Sequence, residues 1–238
     1  LKTAEMTKHA INAYLATSIS FANEIANLCD ESGADAIKVL EALKLDSRVS
    51  SLAPLRPGLA FGGGTLARDM RVLQNLAVRH SYQPALLDGV LGVNTAQNRV
   101  VALKLKQFYD SLNGLNIGVL GVTYKSGTST LRRSPALEII RTLVTEGSIV
   151  KAYDPKAAAS EVAFYGDLFT LCPNPYATAQ DSDALILATD WPEFRELDFR
   201  RIRDSMRRPV LLDTQNGLNP DDMVNQGFLY QGVGRSRK

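Results

Sequence analysis

The sequence has 238 residues, of which 45% are hydrophobic and 22% are charged, a composition typical of a globular protein with one or two domains. Its 27 basic and 25 acidic residues give a formal net charge of +2, so the charge balance does not support binding to nucleic acid or to a membrane surface. No apolar segment approaches the ~20 residues that are needed to cross a bilayer.

The cysteines and histidines exclude further classes of site. Cys29 and Cys172 lack CxxC spacing, so we expect free thiols in a reducing cytoplasm rather than a disulfide framework. His9 and His80 are the only histidines and cannot form a metal site alone, so no metal is predicted. The chain opens within a helical pattern and without a signal peptide, so we expect a segment of a longer, cytoplasmic protein.

Helical periodicity begins at the first residues. The apolar stripe of a long first helix recurs at three-, four- and seven-residue steps, through Ile11, Leu15, Ala22, Ile25 and Cys29. Gly33 is expected to end this helix, and Asp35 to cap a second helix over residues 36–43. Residues 46–64 contain two prolines and four glycines, which predicts a loop.

Two further helices are predicted over residues 65–79 and 85–112, with Pro84 between them. The apolar stripe of the longer helix includes Leu86, Val90, Val93, Val100, Leu103 and Phe108. A helix of this length in a small helical domain often packs against another subunit. We therefore expect a homodimer that forms through residues 85–112.

The remaining sequence alternates between apolar strands and helices. Strands are predicted at residues 116–122, 149–153, 184–188 and 210–213. A helix is predicted from Ser134 or Pro135 to Val144. Such alternation predicts a doubly wound parallel sheet with helices on both faces, whose ligands bind beyond the carboxyl ends of the strands.

The turn-favouring pair Asn113-Gly114 marks the boundary between the two patterns. The sequence therefore predicts an α/β protein, with a helical dimerisation domain over residues 1–113 and a Rossmann-like domain over residues 114–238.

The first candidate site is the segment 61–69, in which three successive glycines precede a helix. Such glycines let the backbone approach a ligand closely, and exposed amides at the start of a helix favour an anion or an oxyanion. Thr65 is in position to cap this helix. A flexible loop that leads into a helix explains the same residues.

The second candidate is Lys8 with Asn12, which are four residues apart and therefore lie on one helix face. A lysine and an amide together can stabilise a developing alkoxide or a polarised carbonyl. A solvated helix face is the alternative interpretation.

The third candidate is the segment 123–135, between a strand and a helix. Its hydroxyls, its glycine and basic residues such as Lys125 and Arg132 suit phosphate binding. Gly118 and Gly121 lack the spacing of GxGxxG, so this half has the architecture of a dinucleotide fold without its phosphate-binding signature. A basic solvent loop is the other explanation.

In combination these segments resemble the UDP-glucose/GDP-mannose dehydrogenase family over nearly the whole chain. Residues 3–17 and 21–29 are similar to the start of the family's central domain, and residues 123–135 to its nucleotide-end loop. Three shorter similarities follow in the family's order, at residues 153–155, 189–194 and 232–235.

Members of this family oxidise the primary alcohol of a nucleotide sugar to a carboxylate with two NAD molecules, for polysaccharide biosynthesis. The resemblance implies a central dimerising domain and a carboxyl-terminal UDP-binding domain in this chain. It also implies an amino-terminal NAD-binding domain that would precede Leu1. We therefore expect the chain alone to bind a nucleotide sugar, to bind no NAD and to be inactive by itself.

The resemblance also assigns roles to single residues. Lys8 and Asn12 match the family's oxyanion-stabilising lysine and asparagine, and Asp69 matches the aspartate that helps to activate water. Residues that match substrate-binding positions are Arg48, which would reach the neighbouring subunit's sugar site, Phe61, Gly62 and Gly63 in the active loop, and Lys125 and Arg132 at the nucleotide end.

Two positions depart from the family's pattern. Thr65 stands where the family has its nucleophilic cysteine, and a hydroxyl is a far weaker nucleophile than a thiol unless a base activates it. No histidine lies near Thr65 in the sequence. Gln215 stands where the family commonly has an arginine. These departures leave two alternatives open: a module that binds a nucleotide sugar without turnover, and a dimerisation unit that has lost its ligand.

Overall fold

The computed structural model describes residues 2–235, which form two compact units. The first unit comprises residues 2–97 together with 234–235, and the second comprises residues 98–233. The predicted domain limit at residue 113 lies inside the second unit. There the Leu112 carbonyl accepts a hydrogen bond from Ser148 Oγ at 3.0 Å, and the Leu112 side chain is buried. Residues 1 and 236–238 of the predicted domains lie outside the described residues.

The helices of the first unit are α1 Lys2–Ser32, α2 Ala36–Leu43, α3 Leu66–Arg79 and α4 Ala85–Gln97. Both α3 and α4 pack against α1. Small buried side chains such as Ala16 and Ala22 on the inner face of α1 leave room for this close approach. Ile11, by contrast, is 51% exposed, so the predicted apolar stripe does not lie entirely in the core.

The predicted ends of the first two helices are confirmed. Gly33 has a φ of +77°, the left-handed conformation in which glycine commonly ends a helix. Asp35 caps α2, because its Oδ1 accepts hydrogen bonds from the Ile37 amide at 3.0 Å and the Lys38 amide at 3.4 Å. Residues 46–64 are irregular, as their prolines and glycines predict.

The predicted continuous helix over residues 85–112 is wrong. The helix α4 ends at Gln97, and a separate helix, α5 Val100–Leu105, begins after a two-residue turn. Within this turn Arg99 keeps near-helical angles, with φ −96° and ψ −7°. The turn residues, Asn98 and Arg99, include neither glycine nor proline, so the sequence gives no strong sign of the break.

The second unit contains a parallel sheet. Its strands are β1 Asn116–Leu120, β2 Ile149–Tyr153, β3 Thr170–Leu171, β4 Ala184–Leu187, β5 Val210–Asp213 and β6 Leu229–Gly232. They lie in the order β3-β2-β1-β4-β5-β6, and every pairing among them is parallel. The central strands β4 and β5 are buried along their whole length, which explains their uninterrupted apolar sequences.

Helices follow the strands, as in a doubly wound fold. Besides α5, they are α6 Pro135–Thr145, α7 Ala159–Val162, α8 Pro175–Ala179, α9 Phe199–Ser205 and α10 Pro220–Asn225. Ser134 caps α6 by accepting a hydrogen bond from the Ala136 amide at 3.2 Å. The predicted α/β fold with a Rossmann-like sheet is confirmed. No helix within residues 2–235 is both long and apolar enough to cross a membrane.

The strand order locates the expected ligand edge. The chain builds β1, β2 and β3 outward and then returns to place β4 beside β1, so the order reverses between these two strands. Ligands of doubly wound sheets bind beyond the carboxyl ends of the strands at such a reversal. The segments after Leu120 and Leu187 are therefore the candidates in this unit.

Candidate active site

The helical unit brings Asn12 and Asp69 together. Asn12 lies on the inner face of α1, and Asp69 lies in the first turn of α3. Asn12 Nδ2 donates a hydrogen bond of 2.5 Å to Asp69 Oδ2, and the two residues are 4% and 1% exposed. These residues are 57 positions apart in the sequence, so their contact depends on the packing of α3 against α1.

Two more side chains surround the Asp69 carboxylate. Arg68 Nε donates a hydrogen bond to Asp69 Oδ1 at 3.2 Å, and His9 Nδ1 lies 3.4 Å from Asp69 Oδ2. Burial by itself raises the pKa of this carboxyl. The hydrogen bonds from Asn12 and Arg68, with the nearby imidazole, outweigh burial and leave the pKa of the carboxyl lowered. Asp69 is therefore held as a buried carboxylate.

Sequence reasoning missed His9 as a member of this site. It precedes Asn12 by three positions on α1, so helical geometry places the two residues on one face. That spacing is the signal in the sequence that could have identified His9.

Lys8 is exposed one helical turn before Asn12. Among the described hydrogen bonds and ion pairs, none joins its ammonium group to Asn12 or to Asp69. Its predicted part in the site therefore stays a prediction.

The segment before the active loop is held by the amide side chains of Asn94, which is partly buried, and Asn23, which is fully buried. Asn94 Oδ1 accepts a hydrogen bond from the Phe61 amide at 2.7 Å, and Asn94 Nδ2 donates to the Phe61 carbonyl at 3.3 Å. Asn23 binds the loop in the same two-sided way, because it accepts from the Gly58 amide at 2.8 Å and donates to the Leu59 carbonyl at 3.2 Å. These contacts fix residues 58–61 on α1 and α4.

The glycines of the loop differ in their roles. Gly63 is buried and has a φ of +76°, a conformation that L side chains rarely adopt, which explains the glycine there. Gly62 is partly exposed, and the Phe61 side chain is 9% exposed at the start of the loop. The structure thus supports a shaped loop in place of a freely flexible one.

Thr65 does not cap α3, contrary to the prediction. Its backbone has φ −99° and ψ −60°, and its side chain makes no capping hydrogen bond. A capping residue has an extended conformation, which directs its side-chain oxygen to the free amides of the first turn. The helical backbone of Thr65 prevents this contact, and its side chain lies on the exposed surface of the loop.

Arg48 lies outside the Asp69 cluster. Its guanidinium binds Asp46 with both ends, Nε to Oδ1 at 2.9 Å and Nη2 to Oδ2 at 2.7 Å. These hydrogen bonds lower the pKa of Asp46 to about 2. The Arg48 side chain is 87% exposed, so its predicted role in a neighbouring subunit's site stays a prediction.

In the sheet unit, buried Asp154 joins the segments that follow β1, β2 and β4. Its Oδ2 accepts hydrogen bonds from the Val122 and Thr123 amides at 2.8 and 2.9 Å. The same oxygen accepts from the Thr123 hydroxyl at 2.8 Å and from the Trp191 indole at 3.2 Å. Oδ1 accepts from two backbone amides after β2. The many donors identify Asp154 as a structural centre of this sheet edge.

The predicted phosphate-binding residues lie on the loop between β1 and α6. Lys125 and Arg132 are both exposed, and the Lys125 ammonium lies 5.5 Å from the centroid of the Tyr124 ring. The loop is closed by a hydrogen bond from the Tyr124 amide to the Thr130 carbonyl at 3.1 Å. The two basic groups are thus presented at the carboxyl edge of the sheet, where a ligand is expected.

Gln215 contributes to the same edge in a structural way. Its Nε2 donates to the Ala188 carbonyl at 2.8 Å, which fastens the segment after β5 to the segment after β4. Asp213, two positions earlier, accepts hydrogen bonds from the Leu218 amide at 2.8 Å and the Tyr230 hydroxyl at 3.0 Å. Burial raises the pKa of the Asp213 carboxyl, and these hydrogen bonds only partly offset it.

The fold and these residues define a class of α/β protein with two units. The helical unit contains a buried polar cluster, and the Rossmann-like sheet unit has basic groups at the edge where a ligand is expected. Comparison with known sequences is more specific. Residues 2–96 match the central domain of the UDP-glucose/GDP-mannose dehydrogenase family, and residues 118–220 match the family's UDP binding domain. The chain therefore belongs to the UDP-glucose/GDP-mannose dehydrogenase family.

Individual relatives agree with this assignment. A UDP-glucose 6-dehydrogenase of Bacillus subtilis is 37% identical over 235 residues, which cover 99% of this chain and 51% of the relative. A UDP-glucose 6-dehydrogenase of Pseudomonas aeruginosa is 36% identical, over 99% of this chain and 53% of the relative. The structure of a UDP-glucose dehydrogenase from Pyrobaculum islandicum is similar with a TM-score of 0.87 and 31% identity, over 98% of this chain and 51% of that protein. The chain spans about half the length of these relatives.

Proposed function

We propose that this protein acts as a nucleotide-sugar dehydrogenase, which oxidises the primary alcohol of a UDP-sugar in an NAD-dependent reaction. The observation that carries this proposal is the buried contact between Asn12 and Asp69. Both residues match positions that the family uses for catalysis, and the fold joins them from distant parts of the sequence. The family membership of both matched regions supports the same reaction class.

The proposed roles follow from the chemistry of the side chains. Lys8 and Asn12 would stabilise negative charge that develops on the sugar oxygen, because preorganised donors act most strongly in a site shielded from water. The Asp69 carboxylate would orient and activate a water molecule. Phe61, Gly62 and Gly63 would border the sugar along the active loop.

The nucleotide would bind to the sheet unit. Lys125 and Arg132 carry exposed positive charge beside the strand-order reversal, which suits a diphosphate. We assign the UDP end of the substrate to these residues.

NAD would accept the hydride when bound, but the described residues of the sheet unit do not fit its pyrophosphate. The amides of Val122 and Thr123, just after β1, donate to Asp154 and are therefore not available to a phosphate. A side chain at Gly121 would meet Thr189 at 2.4 Å, so this glycine serves packing within the sheet edge. We therefore assign the cofactor to a part of the protein outside this chain.

Thr65 limits the proposed reaction. The second oxidation in the family proceeds through a cysteine adduct, and a threonine hydroxyl forms such an adduct poorly without a base. We propose that the protein stops at the aldehyde, with one NAD reduced for each sugar. The alternative, a module that binds the sugar nucleotide without turnover, is favoured by the same residue and by the structural use of Gln215.

We also propose that the protein forms a homodimer in the cytoplasm. Large apolar side chains are exposed along one side of α1, at Ile11, Tyr14, Phe21 and Leu28. A cavity of about 290 Å³ lies between α1 and α4, and its lining combines apolar residues such as Phe21 and Leu86 with the polar residues Thr17, Ser20 and Glu24. An exposed apolar surface of this kind is typical of a subunit interface. The proposed interface therefore includes α1 as well as the predicted segment that contains α4, and Arg48 would cross it to the partner's site.

Calorimetric titration of the 238-residue chain tests the substrate assignment. We expect UDP-glucose to bind and NAD to bind hardly at all. Replacing both Lys125 and Arg132 with alanine should weaken UDP-glucose binding at least about tenfold, because each charged hydrogen bond contributes about 1.5–3 kcal/mol. The matched control is Arg141→Ala, which removes a half-exposed arginine from α6 and should leave binding unchanged. Absence of binding to both UDP-glucose and UDP would contradict the proposal.

A further inference from the structure

His9 contacts Asp69 in a way that the assigned reaction does not explain. Its Nδ1 lies 3.4 Å from Asp69 Oδ2, the same oxygen that Asn12 binds. This nitrogen is buried, and within residues 2–235 it has no partner that meets full hydrogen-bond geometry. The imidazole side chain as a whole is 27% exposed. Among the described ion pairs, the Asp69 carboxylate is the charged group that lies within 4 Å of Nδ1.

The position of Nδ1 determines which nitrogen of the neutral ring carries the proton. A nitrogen that faces a carboxylate is favourable only when it carries a proton, because an unprotonated nitrogen would place its lone pair against the anion. A neutral His9 would therefore have its proton on Nδ1, and an imidazolium would have protons on both nitrogens. The same orientation of a histidine by a buried carboxylate occurs in the catalytic triads of hydrolases.

His9 also borders open space. A cavity of about 500 Å³ lies between the start of α1 and the later part of α3, and His9 is among its lining residues. The charged or titratable residues that line this cavity with His9 are Lys2, Glu5, Arg79 and His80. On the other side of the imidazole, Arg68 binds the Asp69 carboxylate. The imidazole thus connects the buried carboxylate to a solvent-accessible cavity.

The three neighbours of Asp69 differ in what they can do. Asn12 is neutral at every ordinary pH, and Arg68 is always charged and has a side chain that is 65% exposed. Histidine is the residue type whose charge changes between pH 5 and pH 8. Of the three, His9 is therefore the neighbour that can exist in both a neutral and a charged form.

We propose that His9 is a positioning residue, whose Nδ1–H donates a hydrogen bond to the Asp69 carboxylate and couples the electrostatic environment of this carboxylate to the protonation of the imidazole. The contact orients Oδ2 jointly with Asn12, while Arg68 holds Oδ1. The meaning of this coupling for turnover rests on the proposed function, but the contact itself does not.

Nuclear magnetic resonance of the 238-residue chain tests the contact without substrate. The imidazole ¹⁵N shifts of His9 should show the Nδ1–H tautomer when the ring is neutral. The ¹³Cγ shift of Asp69 should show an inflection at the pH where His9 titrates. An Nε2–H tautomer, or an Asp69 signal that does not respond to that titration, would overturn the proposal.

Three variants separate coupling from general packing. His9→Asn keeps a donor near the position of Nδ1 but does not titrate, so the inflection at Asp69 should disappear while its signal stays near the wild-type position. His9→Phe removes the donor and should shift the Asp69 signal. The control His80→Phe changes the other histidine of the same cavity and should preserve the inflection. If His9→Phe does not fold, the wild type and His9→Asn still decide the outcome.

Kinetics of the protein expressed from its gene provide the second measurement. His9→Phe should lower kcat roughly 10- to 100-fold with a smaller change in KM, because a displaced catalytic group affects mainly the reacting complex. His9→Asn should restore most of kcat and flatten its pH profile near neutrality. If the magnetic resonance result holds but the wild type does not oxidise UDP-glucose, the proposed function fails and the inference stands. If oxidation occurs without the coupling, the inference alone fails.

Discussion

The two units each contain a nearly fully buried aspartate, and the partners of these aspartates differ. Asp154 in the sheet unit binds mainly backbone amides, together with a hydroxyl and an indole from the segments around it. The carboxylate of Asp69 in the helical unit accepts its described hydrogen bonds only from side chains, those of Asn12 and Arg68, and has His9 nearby. Backbone donors fix Asp154 as part of the framework, whereas Asp69 lies among groups that can change position or charge.

This difference teaches how a buried carboxylate can be assigned a role. A carboxylate whose oxygens are shared among backbone amides stabilises loops, since moving it would leave several buried donors unpaired. A carboxylate held by side chains can exchange one of them for a substrate or for water. We therefore propose a structural role for Asp154 and a chemical role for Asp69, and the predictions below challenge this division from the largest expected effect to the smallest.

Thr65→Cys should produce the largest change, in the unit to which we assign chemistry. It introduces a thiol at the position that we propose to match the family's nucleophile, and loss of a covalent route typically costs several orders of magnitude in rate. We expect NADH formed per sugar to rise from one or fewer toward two, with carboxylate as the product. The control Thr65→Ser retains a hydroxyl and should not change this ratio. A wild-type protein that already yields two NADH and a carboxylate at the rate of the cysteine variant would contradict our view of Thr65.

Asp154→Ala should strongly destabilise the sheet unit. The substitution leaves the Val122 and Thr123 amides without their acceptor, and each unpaired buried donor costs about 1–3 kcal/mol. We expect the free energy of unfolding in guanidinium chloride to fall by at least about 3 kcal/mol. The control Asp167→Ala changes an exposed aspartate of the same unit and should stay within about 0.5 kcal/mol of the wild type. A loss as small as that of the control would show that Asp154 is not structural.

Asn23→Ala should have a smaller effect, in the helical unit. Asn23 is fully buried and binds the Gly58 amide and the Leu59 carbonyl, so its loss leaves one donor and one acceptor unpaired. We expect a loss of about 2 kcal/mol in the free energy of unfolding, and weaker sugar-nucleotide binding if the loop shifts. Thr7→Ala, at an exposed residue of the same helix whose hydroxyl donates to the Thr3 carbonyl at 2.9 Å, is the control and should cost under about 1 kcal/mol. Equal losses in the two variants would argue against a specific role of Asn23 in the loop.

The smallest expected effect is a difference between the two units in how their stability depends on pH. The pKa of Asp69 is lowered in the fold, so below about pH 4 the unfolded chain binds more protons at this residue and stability falls as the pH falls. The pKa of Asp213 is raised by burial, so its contribution has the opposite sign, and stability falls as the pH rises above about 4. We expect Asp69→Asn to reduce the acid loss of stability, and Asp213→Asn to remove a decline above pH 4. Unfolding curves between pH 2.5 and 6 measure how the free energy of unfolding changes with pH in the wild type and in each variant. If both substitutions change this slope in the same direction relative to the wild type, the assigned pKa shifts are contradicted.

Sequence patterns found the elements whose side chains repeat regularly. The four predicted strands and the first two helices are present, because burial on one or both faces imposes a strong pattern. The strand β3 has only two residues, and β6 includes Gln231 and Gly232, so neither shows an apolar sequence that predicts a strand. These strands exist because the neighbouring strands β2 and β5 offer free backbone groups for pairing.

The sequence by itself determined the fold class, the family and the residue types of the candidate site. Only the tertiary structure decided which of those residues meet, because the contact of Asn12 and His9 with Asp69 depends on packing between helices that are distant in the chain. It also separated Thr65 from its predicted capping role, since that role depends on a backbone conformation that residue type does not specify. Regular periodicity survives in a sequence, whereas the direction and burial of single side chains arise only when the elements pack together.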